Sequence, residues 1–116
     1  MESQDLPDPL RARVGQQRWR PAMYRMRHFM QSYVADSDGT EEIYAEVRRT
    51  VITDASSVRQ DLEAVEMVLK DEHVPGTLLR LVEGDGNRAL DHPSDAEAAA
   101  FLHALAQLLR SALDQS

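Results

Sequence analysis

Ser94-Asp95-Ala96-Glu97 is followed without a break by Ala98-Ala99-Ala100-Phe101-Leu102-His103-Ala104-Leu105-Ala106-Gln107-Leu108-Leu109-Arg110-Ser111-Ala112. Ser94 with Glu97 three residues later is a capping box, in which a serine hydroxyl and a glutamate satisfy orphan donors at a helix start. Ala98, Phe101, Leu102, Leu105, Leu108, Leu109 and Ala112 then fall at three-and-four spacing and line a broad apolar face. The stretch therefore predicts a final helix of about twenty residues. The apolar run from Ala96 to Leu109 is interrupted by Glu97, His103 and Gln107, well short of the roughly 20 apolar residues that a membrane helix needs.

The same period recurs upstream. Pro21 suits a first helical turn, where its missing N–H costs nothing, and Met23, Met26, Phe29, Met30, Tyr33 and Val34 share a face, giving helix one over 21–35. Asp36-Ser37-Asp38-Gly39-Thr40 breaks the pattern, with Asp38 or Thr40 as the next cap; Ile43, Val47 and Val51 then mark helix two over 40–52. Thr53 and Asp54 offer another cap, and Val58, Leu62, Val65 and Leu69 set helix three over 55–71. Pro75-Gly76 interrupts, Thr77 can cap a two-turn helix holding Leu78, Leu79, Leu81 and Val82, and Gly84-Asp85-Gly86-Asn87 is turn chemistry. No segment alternates with the period of a strand, so the expected fold class is all-α: a compact bundle of about five helices.

Residues 1–20 carry Pro7, Pro9 and Gly15 with little apolar periodicity, the composition of an extended arm. The expected organisation is therefore this N-terminal arm, with Trp19 docking on the core, followed by one helical domain over 21–116. A length of 116 residues leaves no room for two well-filled cores. Neither a basic start nor an apolar core marks a secretory signal, so a cytoplasmic address is expected. The absence of cysteine removes disulfides, thiolate zinc sites and cysteine nucleophiles.

Charge is unevenly placed. Residues 1–34 hold six arginines against three carboxylates, a balance of +3, whereas residues 35–116 hold seventeen carboxylates against seven Arg or Lys, a balance of −10. An acidic body repels phosphate backbones, so neither nucleic acid nor membrane is an expected partner. It attracts a basic protein instead and speeds the encounter. The arginine-rich N-terminal segment is the one place where a nucleic-acid reading could reside.

Catalytic patterns find no purchase. His28, His73, His92 and His103 include no pair three or four apart on one helix, and Gly39 falls too early after Asp36 and Asp38 for a calcium loop. Gly-x-Ser-x-Gly is absent, and Gly84-Asp85-Gly86-Asn87-Arg88 places a carboxylate where a phosphate would sit. No cofactor, no metal and no enzymatic activity are expected.

The order of features resembles a known group. Phe29-Met30-Gln31-Ser32-Tyr33-Val34-Ala35-Asp36 ends the first helix; an acid-headed amphipathic helix, the Asp61-Leu62-Glu63 helix, the Leu78-Leu79 helix, a glycine loop and a last helix entered through Phe101-Leu102 follow. This looks like the small all-helical immunity proteins of bacterial contact-dependent growth inhibition and related polymorphic toxin systems, over residues 23–113. Tyr33 and Asp36 match a tyrosine and an aspartate common at the end of helix one there; the accompanying tryptophan is absent. The resemblance implies a protein that binds and neutralises a cognate toxin C-terminal domain with a basic surface, commonly a nuclease. Asp36, Asp38, Glu41, Glu42 and Glu46 are the expected contact acids, Tyr33 and Tyr44 the aromatic anchors, and Glu63 and Glu66 the next candidates. A helical adaptor docking through the methionine-rich first helix is the alternative.

Overall fold

A computed structural model of the chain describes residues 21–115, and every described element is helical. The expected arm over 1–20, Trp19 included, lies outside the described residues. Helix α1 covers 21–29 and runs on as a π-helical turn, Met30–Val34; α2 is Thr40–Lys70; α3 is Thr77–Leu79, continued by a second π turn, Arg80–Asp85; α4 is Asp95–Asp114.

The described helices number four rather than the expected five, because helices two and three are one element bent at Asp54. Asp54 leaves the helical region (φ −156°, ψ 76°), and its Oδ1 accepts the N–H of Ser57 at 3.1 Å. That is the geometry of an N-cap, with the side chain replacing a backbone acceptor. The chain restarts as a helix with no loop between the arms.

The core is assembled from one face of each element. Met26, Phe29, Met30 and Val34 of α1 meet Val47, Val58, Val65 and Val68 of α2, and Leu102 and Leu109 of α4 close the other side. Met23, Met26 and Met30 are all buried, so the methionine face is interior and not a docking surface. Arg48 Nη1 donates to the carbonyl of Ala112 at 2.8 Å and Arg110 pairs with Glu66, tying α2 to α4 at the surface.

The two π turns pack together. A Cβ on Gly86 would stand 2.6 Å from Met30 Cε and 2.7 Å from the Val82 carbonyl oxygen, so only glycine lets the chain leave α3 at this point. Gln31 Nε2 donates to Asp85 Oδ1 at 2.9 Å, and Arg88 Nη2 donates to Ser37 Oγ at 2.7 Å, fastening the end of α1 to this junction. The caps differ in part from expectation. Ser94 Oγ does accept the Glu97 N–H, at 3.1 Å. Neither Asp38 nor Thr40 caps α2: Gly39 stands at its N-cap, and Glu42 Oε1 reaches back to the Asp38 N–H at 3.1 Å. Thr77 does not cap α3 either. Gly76, at φ 92°, precedes it, and Asp95 of α4 supplies the acceptors: Oδ2 takes the Gly76 N–H at 2.7 Å and Oδ1 that of Leu79 at 3.0 Å.

Candidate functional site

The bend at Asp54 makes α2 concave, and α1 crosses it without filling it. A groove of about 1210 Å³ remains, lined on α1 by Tyr24, Arg25, His28, Ser32 and Tyr33 and, in the turn after it, by Asp36. The first arm of α2 contributes Glu42, Glu46 and Arg49, and the second Ser57, Gln60, Asp61, Glu63 and Met67. The spacing explains why these side chains converge, since residues three and four apart share a helical face.

Five expected contact residues meet here: Tyr33, Asp36, Glu42, Glu46 and Glu63. The other four are placed elsewhere. Asp38 is exposed in the connection before α2, Glu41 is exposed on its first turn away from the groove lining, Tyr44 is half-buried against the core, and Glu66 is held by Arg110 of α4.

Tyr33 is fixed as a wall. Its ring stacks on Phe29 with centroids 4.6 Å apart, and its hydroxyl shares a 2.7 Å hydrogen bond with Thr50 Oγ1. Phe29 is itself buried, so the wall is anchored in the core. Glu46 pairs with Arg49 on the same helical face. Asp36, Glu42 and Glu63 have no ion-pair partner among the described residues.

At the floor lies Asp61, 6% exposed and the one charged or polar residue buried among those described. Arg25 Nε donates to Asp61 Oδ1 at 2.7 Å, Nη1 to Gln60 Oε1 at 2.9 Å, and Nη2 to the Ser57 carbonyl and hydroxyl at 2.9 and 3.2 Å. Burial raises the Asp61 pKa above the ordinary carboxylate value, an effect that Arg25 and, more weakly, His28 oppose. Sequence reading does not single out this floor. Asp61 stands three residues after Val58 and four before Val65, on the buried face of α2, but nothing local marks Arg25 of α1 as its partner.

The lining carries five carboxylates against Arg25 and Arg49, so its field is negative. Among the described residues no group of three or more His, Asp or Glu is arranged to hold a metal ion, and no helix is long and apolar enough to cross a membrane. Neither protein-family models, nor curated proteins, nor solved structures yield a match to this chain.

Proposed function

We propose that this protein binds and neutralises a basic protein domain, in the manner of the immunity proteins it resembles, and that the groove between α1 and the bent α2 is the receptor surface. One observation carries the reading: five of the nine expected contact residues, Tyr33, Asp36, Glu42, Glu46 and Glu63, drawn from α1, the turn after it and both arms of α2, line a single concavity. A nuclease toxin must present cations to its substrate, and a negative groove with fixed walls complements such a surface. Binding, not turnover, is its role, and the partner is a toxin C-terminal domain encountered in the cytoplasm. The adaptor alternative loses its surface, because the methionines it needs are interior.

The test is capture from the native cell with the full chain as bait, followed by an activity assay on what is recovered. A basic domain whose toxic activity disappears on adding the chain supports the reading; a stable metabolic or signalling complex refutes it. A reading frame immediately upstream that encodes a large secreted protein with a variable toxin domain would point the same way. Against the captured domain, Glu42→Lys is expected to slow association by about tenfold at low salt and flatten its salt dependence. Glu41→Lys, one residue outside the groove lining, is expected to do so less. Stopped-flow association rates across a range of salt decide between them, and equal effects would move the contact off the groove.

A further inference from the structure

If the groove is a receptor for a basic partner, its shape and floor restrict what enters it. Glu42, Glu46 and Arg49 run along about 10 Å of the first arm of α2, and Ser57 to Met67 along about 15 Å of the second. The volume, about 1210 Å³, exceeds the roughly 300–1,000 Å³ of small-molecule pockets. An elongated site of this size suits a polypeptide segment.

The floor is chemically incomplete. Arg25 engages Asp61 through Oδ1 alone, so among the described residues Oδ2 accepts no hydrogen bond. That oxygen is not sealed in, because the sealed, partnerless side-chain atom among the described residues is Arg88 Nε. Oδ2 therefore meets solvent, and a charged donor that takes the place of water there adds a charge-assisted hydrogen bond to a carboxylate already partly desolvated. The same lining carries Glu63, exposed and without an ion pair among the described residues, and Tyr24, 79% exposed. A guanidinium suits this lining better than an ammonium: it is weakly hydrated, carries donors in a plane, and stacks on aromatic faces.

We infer that the groove receives an arginine-bearing polypeptide segment of a partner protein, one guanidinium of which descends to Oδ2 of Asp61 while Tyr24 and Glu63 hold its approach. The inference rests on the reading of the groove given above, and a test with defined peptides separates the two. The ¹⁵N-labelled full chain is titrated with hexa-arginine amide and, separately, hexa-lysine amide. Hexa-arginine is expected to saturate, to shift the amides of Arg25, His28, Ser57, Gln60 and Asp61 most, and to bind several-fold more tightly than hexa-lysine.

Tyr24→Ala is expected to weaken hexa-arginine binding roughly two- to fivefold, Glu63→Gln about threefold, and Asp61→Asn about tenfold. Tyr24 and Glu63 are exposed, so their variants keep the test open if Asp61→Asn unfolds. Equal affinity for the two peptides, with shifts spread over Asp71, Glu72 and the first turn of α4, would overturn the inference. So would unchanged affinity in the Tyr24 and Glu63 variants. Tighter peptide binding after Arg11, Arg13, Arg18 and Arg20 are replaced by glutamine would assign the groove to the chain's own N-terminal residues, and peptide-insensitive self-association would assign it to a second copy; either overturns it. Toxin neutralisation by a chain that ignores hexa-arginine would sink the inference and leave the neutralising role standing. Hexa-arginine seated as described by a chain that neutralises nothing would do the reverse.

Discussion

Asp61 and Asp95 are both aspartates held by N–H groups from another helix, and they behave in opposite ways. Asp95, at the joint between α4 and α3, has both oxygens in use: the N–H groups of Gly76 and Leu79 draw its pKa below the ordinary value. Asp61, at the floor of the groove, has one oxygen in use, and burial outweighs Arg25 to push its pKa up. The joint is a closed hydrogen-bonding account. The groove is an open one, and an acceptor left open in a concavity is what a ligand can complete.

The largest expected effect tests whether the groove wall belongs to the core at all. Phe29→Ala removes a ring that is 2% exposed and on which Tyr33 stacks. It is expected to cost about 3–5 kcal/mol by urea denaturation and to disorder the Tyr33 wall. A loss under about 1 kcal/mol would show that the wall is an appendage and not part of the packed interior.

Next in size is Arg25→Met, which strips Asp61 of its ion-pair partner while keeping an unbranched apolar stem. A deficit of about 1–3 kcal/mol at neutral pH is expected, the cost of an uncompensated buried acceptor. The sign of its pH dependence follows from the raised pKa. The folded state prefers neutral Asp61, so ionisation costs stability above the folded pKa, and that cost is relieved as pH falls through it. Without Arg25 the folded value rises further, so the deficit should shrink on acidification while the pH is still above 3.8, the ordinary value. Urea midpoints of the two proteins from neutral to mildly acid pH measure it; a constant deficit would mean that Arg25 acts through packing and its bonds to Ser57 and Gln60, not through the Asp61 charge.

The helices themselves are legible in the sequence because apolar spacing at 3.6 residues is a local property that each segment carries by itself. Ser94 and Asp54 are legible for the same reason, since each cap lies three residues from the N–H it holds. What escapes is long-range. Asp95 caps a helix nineteen residues away from Gly76, and nothing near Thr77 announces it. The π turns at Met30–Val34 and Arg80–Asp85 reflect how two helix ends meet around Gly86, which reads as ordinary turn chemistry in the chain. Of the site, the acids around the start of α2 are legible as a charged cluster, whereas the groove exists only because α2 bends and α1 crosses it. Arg25 and Asp61 stand thirty-six residues apart, beyond the reach of any spacing rule.

The smallest expected effect, Asp95→Asn, opposes the two carboxylates directly. Asparagine keeps one acceptor oxygen, so one of the two N–H groups keeps its partner and the other turns to water. A modest fall in the urea midpoint is expected at neutral pH. Because the folded pKa of Asp95 lies below 3.8, its contribution is whole above that value and fades as pH falls through the folded one. The difference from the unaltered protein should therefore hold steady through mildly acid pH and close only below 3.8. The Arg25→Met deficit, by contrast, closes above it. Two deficits closing on opposite sides of one pH require one aspartate stabilised as an anion by its fold and another held as an anion against its burial. Were both to close in the same window, Asp61 would be as fully satisfied as Asp95, and the floor of the groove would have no acceptor left to offer.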